Sequence, residues 1–393
     1  MDVAILADAP TLTTGFGRTT RQIATGLVSG GRSVACFGLK ATRSDVDLTD
    51  DLMLWPAERG AHWTATLPAF LMEVDPAVVF LNMDAFNALE CIDELKAAGW
   101  SGPIVSYVVF DGLPVSRRYL DCQRDCAAVI ASSRTAARYL ASEGIEIVGV
   151  APPGVDESFM PGEVSPTTRR QMGLPADGVV VGVFGTNTER KQIPRILAAL
   201  PAVQEQLAPV AISLYLHCSR KGYWPLDDLA GSLAIRGEVA FAAPSCFDEF
   251  RGVTETDYIE RIRACDVIVN TPHSGDVEQV ILEAQACGVP LVHTDDGGIM
   301  AEAAGGGAEL VPASDVGVGR TGQAIHHVAP DSVAVALGRL LTDEQRCDSL
   351  RMRGFANASS YRWDRLRSQS AAAVAPFLDA SAQPPNPEQP PRA

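Results

Sequence analysis

Short uninterrupted apolar runs alternate with amphipathic stretches through most of the chain. That is the pattern of a buried parallel sheet covered by helices rather than of a half-exposed antiparallel one. Val3, Ala4, Ile5 and Leu6 predict the first strand. The turn Thr13, Thr14, Gly15, Phe16, Gly17 leads into a helix over 18–28, which Gly30 and Gly31 stop before a strand at 33–37. The same grammar predicts helices at 64–73 and 85–98 and strands at 77–81, 103–109, 127–131 and 146–150, enough for a Rossmann-like domain.

Phe159, Met160, Pro161, Gly162, Glu163, Val164, Ser165 and Pro166 then break all periodicity, as a linker does. Beyond them the pattern restarts, with strands at 178–184, 211–217, 267–270 and 289–294. Helices are expected at 193–206, through 258–263, and at 278–286, where Gly288 ends the last. Helices at 331–341 and 363–375 follow, and the five prolines of 380–393 leave that segment unable to build a core. The expected fold is α/β, two Rossmann-like domains facing a cleft, at 1–165 and 166–360. A closing helix at 361–379 should pack back toward the first domain, with a disordered tail at 380–393.

Charge and cysteine content narrow the chemistry. Against 32 Lys plus Arg stand 48 Asp plus Glu, a net charge of −16, the wrong balance for a protein that grips nucleic acid. Nine cysteines lack the paired spacing of zinc ribbons or disulfide frameworks. Cys122 and Cys126 share a helix face, but no second Cys or His pair follows at ligand spacing, so no metal site is expected. The sequence starts directly on a strand and no apolar run reaches the length of a membrane span. A cytoplasmic protein without stable membrane insertion is expected.

Three constellations stand out. Gly15 and Gly17 follow the first strand and open a helix, where backbone N–H groups and the helix dipole favour an anion; Thr20 replaces the third glycine of a dinucleotide fingerprint, and a ligand-free tight turn is the alternative. Arg190 and Lys191, the latter one of only four lysines, stand between a buried strand and a helix. Two cations at a helix N-terminus are unfavourable unless an anion such as a diphosphate sits there; solvated cations beside Glu189 are the alternative. Glu283 falls on an apolar helix among Val280, Ile281, Leu282, Ala284 and Ala286. A carboxylate there is costly unless hydrogen-bonded, by ribose hydroxyls or within the protein.

The stretch Leu282, Glu283, Ala284, Gln285, Ala286, Cys287, Gly288, Val289, Pro290, followed by Thr294, Asp295, Gly297 and Gly298, resembles the donor-site signature of the GT-B retaining glycosyltransferases of family four. Weaker landmarks in the same order are Tyr107 to Pro114, Ala131-Ser132-Ser133, Pro153-Gly154-Val155-Asp156 and Arg190-Lys191. The resemblance implies a nucleotide diphosphate sugar as cosubstrate, with no further cofactor and no metal. Arg190 and Lys191 would hold its diphosphate, Glu283 its ribose, and the backbone of Asp276, Val277 and Glu278 its sugar and phosphate oxygens. Gly15 and Gly17 would face the phosphates. It further implies a front-face transfer in which the leaving phosphate accepts the acceptor's proton, and an acceptor that is a sugar, an aminocyclitol or another hydroxylated molecule.

Two departures bear on that reading. The family's acidic residue eight positions before the glutamate matching Glu283 is here Gly275, with Asp276 as a candidate substitute; Phe110 stands where many members carry a histidine. Asp111 is a candidate for orienting the acceptor or assisting its deprotonation, or else a turn cap. Arg117 and Arg118 either meet an acidic acceptor or decorate a helix. His62 and His217 read as core histidines, and His273 as the one nearest the donor loop. A catalytically silent, glycosyltransferase-like partner subunit is the competing reading. An epimerase lacks an identifiable acid and base pair, and a dehydrogenase lacks the full glycine fingerprint.

Overall fold

The computed structural model describes residues 1–41, 52–57, 63–165, 167–247 and 252–379. His62, Pro166 and the tail at 380–393 lie outside them. The chain divides into two compact units, one of residues 1–110, 116–152 and the C-terminal helix from Trp363, the other of residues 111–115 and 153–362.

The first unit runs β1 (Val3–Asp8), α1 (Gly15–Ser29), β2 (Val34–Leu39), β3 (Leu52–Pro56), α2 (Leu67–Val74), β4 (Val78–Asp84), α3 (Ala85–Ala97), β5 (Ile104–Val109), α4 (Arg117–Arg124), β6 (Ala128–Ala131), α5 (Arg134–Ser142) and β7 (Gly149–Val150). Its strands lie in the order β3-β2-β1-β4-β5-β6-β7, every pair parallel. Both sheet faces are buried, and strand parity sorts the side chains between them. Val3, Ile5 and Ala7 pack with Ile23 and Leu27 of α1, while Ala4 and Leu6 pack with Phe70 of α2 and Ile92 of α3.

The second unit repeats the plan. It comprises α6 (Thr168–Gln171), β8 (Val179–Phe184), α7 (Ile193–Gln206), β9 (Ile212–His217), α8 (Leu226–Gly231), β10 (Val239–Phe241), α9 (Glu255–Arg263), β11 (Val267–Asn270), α10 (Gln279–Ala286), β12 (Leu291–Asp295), α11 (Ile299–Ala304), β13 (Glu309–Val318), β14 (Ala324–Val328), α12 (Pro330–Thr342) and α13 (Glu344–Ala358). The order is β10-β9-β8-β11-β12-β13-β14. On β8, Val181 and Val183 face α7 and α12, whereas Val180 and Phe184 face α9 and α10. The last pair, β13 with β14, is antiparallel and carries an irregularity between Ala313 and Asp315. That hairpin, β3, β10 and the helices α4, α5, α6, α8, α11 and α13 are additions to the elements the sequence pattern predicts.

The final helix, α14 (Trp363–Asp379), returns to the first unit. Its Leu366, Val374 and Leu378 join the β1 and α1 face, and Arg367 Nε donates to Gln22 Oε1 on α1 at 2.8 Å. Among the described residues no helix is long and apolar enough to cross a membrane.

Candidate functional site

β8 and β1 each lie third in a seven-stranded sheet, where the strand order reverses, and each is followed by a turn into a helix at its carboxyl end, where doubly wound sheets bind ligands. In the second unit this turn is a single 3-10 turn, Glu189–Lys191, that ends on Gln192 in the left-handed conformation (φ 50°) with no side-chain cap. Gln192 instead braces its neighbours. Its Nε2 donates to Thr271 O at 3.0 Å and His326 O at 3.1 Å, and its Oε1 lies 3.2 Å from His327 Nδ1. The N–H of His273 donates to Arg190 O at 2.8 Å. The cation-bearing turn is thereby fixed to the segment after β11 and to β14.

Arg190 and Lys191 converge on one carboxylate. Arg190 Nη1 donates to Glu278 Oε1 and Lys191 Nζ to Glu278 Oε2. The Lys191 side chain is 7% exposed and that of Glu278 12%, which overturns the alternative of solvated cations beside Glu189. The anion that a pair of cations at this place requires is present, and it is internal. Arg190 Nη1 also donates to Ser274 O at 3.0 Å, and its Nε lies 4.0 Å from Asp111 Oδ1. Asp111, Arg190, Lys191 and Glu278 are thus brought together within the second unit.

The charges follow from this packing. Burial pushes the Glu278 carboxyl up, but the charges of Arg190 and Lys191 and their hydrogen bonds outweigh it and hold it well below the usual carboxylate range. Burial lowers the Lys191 amine; the Glu278 charge opposes this and the like charge of Arg190 adds to it. Burial acts to lower Arg190 as well, yet Glu278 and Asp111 raise it, so it stays a cation. His273 is lowered to about 4 by burial and by the neighbouring charges of His327 and Arg190.

Gly275 has a steric role in this cluster. A Cβ there would stand 3.0 Å from Arg190 Nη1 and 3.1 Å from Glu278 Oε1. Glu278, three residues on, fills the space beside the missing side chain. Asp276 does not: it is buried, and its Oδ1 accepts from the N–H of Val277 at 2.7 Å, which also spends that backbone donor. Glu283 is 1% exposed on α10, and its Oε2 accepts from the hydroxyl of Tyr258 at 3.0 Å. Tyr258 packs against Phe184 and His217. His217 is the expected core histidine, stacked on Phe184, bonded to Tyr215, and lowered to about 3 by burial and by Arg261.

Several buried polar atoms beside the turn have no partner: Asn270 Nδ2, Thr271 Oγ1, His273 Nδ1, Ser274 Oγ and His293 Nε2. Buried polar groups are normally bonded, so a cluster of open ones marks a place where a polar ligand or water belongs. Apart from the two histidines, sequence reasoning passed over these residues, along with Gln192 and the side chain of Glu278. The signal present in the chain was the demand for an anion beside Arg190 and Lys191.

The turn after β1 is built differently. Thr14 caps α1 by accepting from the N–H of Gly17 at 3.0 Å, and its hydroxyl donates to Asp8 Oδ2, which also pairs with Lys40 at 2.9 Å. A Cβ on Gly17 would stand 2.6 Å from Leu12 O and 2.9 Å from Ala9 O. Gly17 thus has a packing reason, and its N–H is committed to the cap; Gly15 is exposed at the helix start. Thr20, in place of a third glycine, donates to Phe16 O and accepts from Asn82. Phe110 is fully buried. Arg117 is 89% exposed and pairs with Asp121 one turn on, so it decorates α4. All nine cysteines are free thiols, and among the described residues no cluster of His, Cys, Asp or Glu is arranged to hold a metal.

Residues 178–343 match the family model for glycosyl transferases group 1. Two curated relatives are D-inositol 3-phosphate glycosyltransferases. That of Stackebrandtia nassauensis is 32% identical over 226 residues, 55% of this chain and 46% of the relative. That of Corynebacterium jeikeium is 29% identical over 225 residues, 55% of this chain and 48% of the relative. The chain spans about half the length of the curated relatives it matches. Among solved structures, sucrose-phosphate synthase of Thermosynechococcus elongatus aligns with a TM-score of 0.71 at 16% identity, over 97% of this chain and all of the other. HepE of Anabaena, solved in complex with UDP-glucose, aligns with a TM-score of 0.65 at 17% identity and the same coverage. At such identities the likeness shows the shared fold.

Proposed function

With residues 178–343 matching the family model for glycosyl transferases group 1, we propose that this protein is a glycosyltransferase that moves a sugar from a nucleotide diphosphate sugar to a hydroxyl of its acceptor with retention of configuration. The observation that carries this reading is the convergence of Arg190 and Lys191, both just past the carboxyl end of β8, on a single buried anion position. The donor's diphosphate takes that position. As the glycosidic bond breaks, charge grows on the leaving diphosphate, and two fixed cations stabilise that charge more in the transition state than before it. No metal is called for, because Arg190 and Lys191 supply the positive charge. HepE is described in complex with UDP-glucose, which favours a uridine diphosphate sugar as the first donor to try.

In this scheme the acceptor hydroxyl attacks the anomeric carbon on the face from which the diphosphate departs, and the leaving phosphate oxygen takes the hydroxyl proton. Glu283, held by Tyr258, accepts hydrogen bonds from the ribose hydroxyls. Asp111, 51% exposed and 4.0 Å from Arg190, orients the acceptor. The curated relatives named above act on D-inositol 3-phosphate, so cyclitols and their phosphates are the first acceptors to try. The test is release of the nucleoside diphosphate from a panel of sugar donors, with and without these acceptors, in excess chelator. Acceptor-dependent release that persists in chelator and falls at least tenfold in Lys191→Ala supports the reading; none with any donor overturns it.

A second reading, a catalytically silent partner subunit, is favoured by one observation: Glu278 already pairs with both cations. Failure of every donor in the release assay, together with absence of nucleotide binding, is the outcome that selects it.

A further inference from the structure

The carboxylate of Glu278 and the diphosphate of a donor require the same cations. Glu278 immediately precedes α10 and reaches back 87 residues in sequence to Lys191, placing one oxygen on each cation. It fits because position 275 is glycine: any side chain there would meet Arg190 Nη1 and Glu278 Oε1 at about 3 Å. Asp111 adds a second negative charge at 4.0 Å from Arg190 Nε. Two cations against two carboxylates leave the cluster close to neutral. An arriving diphosphate therefore meets no net attraction until one of the carboxylates leaves. Glu278 is the one that shares both cations, and the unpartnered buried atoms His273 Nδ1 and Ser274 Oγ lie in the segment just before it.

We propose that Glu278 is an internal counter-anion, displaced from Arg190 and Lys191 when a diphosphate binds, and that Gly275 is the residue that makes room for it. The proposal rests on the diphosphate reading given above and goes beyond it by making donor affinity a competition within the chain. The apparent affinity of the turn for a diphosphate is its intrinsic affinity multiplied by the fraction of molecules in which Glu278 has moved away. The competition concerns charge rather than base or sugar, so it acts equally on every nucleoside diphosphate and on inorganic pyrophosphate.

The test is calorimetric titration of inorganic pyrophosphate and of UDP, GDP and ADP into wild type, Glu278→Gln and the double variant Lys191→Met with Glu278→Gln. The amide keeps the size of the side chain and removes its charge. The expected result is at least a tenfold gain in affinity for pyrophosphate and for the preferred nucleoside diphosphate in Glu278→Gln, with the gain abolished in the double variant. Wild-type binding that Glu278→Gln leaves unchanged or weakens, with the variant folded by circular dichroism, overturns the competition and leaves the diphosphate reading standing. Absence of binding in both proteins, up to 10 mM of every probe as about the upper practical limit for so weak a complex, overturns the diphosphate reading itself. Where Glu278→Gln does not fold, Glu278→Asp serves. It withdraws the carboxylate by one methylene and is expected to bind pyrophosphate more tightly than wild type, and equal or weaker binding overturns the proposal.

Discussion

The turns after β1 and β8 occupy the same place in two sheets of the same strand order, yet they are finished in opposite ways. The β1 turn is closed chiefly by its own residues: Thr14 caps the helix and Gly17 lets the loop of Ala9 and Leu12 lie against it, while Lys40 just after β2 pairs with Asp8. The β8 turn has no side-chain cap, carries two cations where a helix N-terminus disfavours them, and borrows its anion from Glu278 across the fold. One turn is satisfied locally and is fit to be scaffold. The charges of the other are balanced through a long-range contact, the one that a diphosphate is proposed to displace.

The largest expected effect breaks the second turn. Lys191→Met leaves Glu278 buried with one cation fewer and is expected to cost about 3–5 kcal/mol in urea unfolding, as breaking a buried pair does. Adding Glu278→Gln should recover much of that loss, and a double variant no more stable than Lys191→Met would show that the pair is not coupled.

The first turn should break through packing rather than charge. Gly17→Ala forces a methyl against Leu12 O and Ala9 O, and about 1–3 kcal/mol of destabilisation is expected in the same assay. Unchanged stability would mean that the turn relaxes easily and that the glycine serves a ligand instead.

A smaller effect separates the units by pH. Five of the six histidines lie in the second unit's span, and His217 and His273 are lowered to about 3 and about 4. Their ordinary value is near 6.5, so below it the unfolded chain binds protons that the folded one refuses. Their stabilising contribution is complete above pH 6.5 and is lost as pH falls toward 4 and 3. Glu278, whose folded pKa is also depressed, has its effect complete above the ordinary carboxylate range and lost at still lower pH. His217→Phe should flatten the slope of unfolding free energy between pH 6.5 and 4 by up to about 1.4 kcal/mol per pH unit. An unaltered slope would remove His217 from the account. The smallest effect is that of Arg117→Ala on the exposed face of α4, expected within about 0.5 kcal/mol of wild type.

The contrast also shows what the chain discloses unaided. Strands such as β1, β8 and β11 are legible because burial on both faces makes them continuous apolar runs. β3 is mostly half-buried and follows a polar stretch, while β13 contains Pro312 and mostly exposed or half-buried small residues, so neither has a period to read. α13 is strongly polar and meets the core through only a few residues, among them Leu350 and Cys347.

At the site, Arg190, Lys191 and Glu283 are legible because each conflicts with its local surroundings. Glu278 conflicts with nothing nearby, since an acidic residue just before a helix is ordinary. Its meaning comes from cations 87 and 88 positions away, and no local pattern carries that. Gly275 reads as a missing acid in the sequence, and only its distance to Glu278 shows what takes up the space.

The most direct test is to titrate the preferred nucleoside diphosphate against wild type, Lys191→Met and Lys40→Met, which remove a cation from the β8 turn and the cation paired with Asp8 at the end of β1. The account predicts that Lys191→Met loses at least tenfold in affinity while Lys40→Met stays within about threefold of wild type, a difference of at most about 0.7 kcal/mol. Loss of binding in Lys40→Met with affinity retained in Lys191→Met would contradict it, because the anion would then belong to the turn after β1.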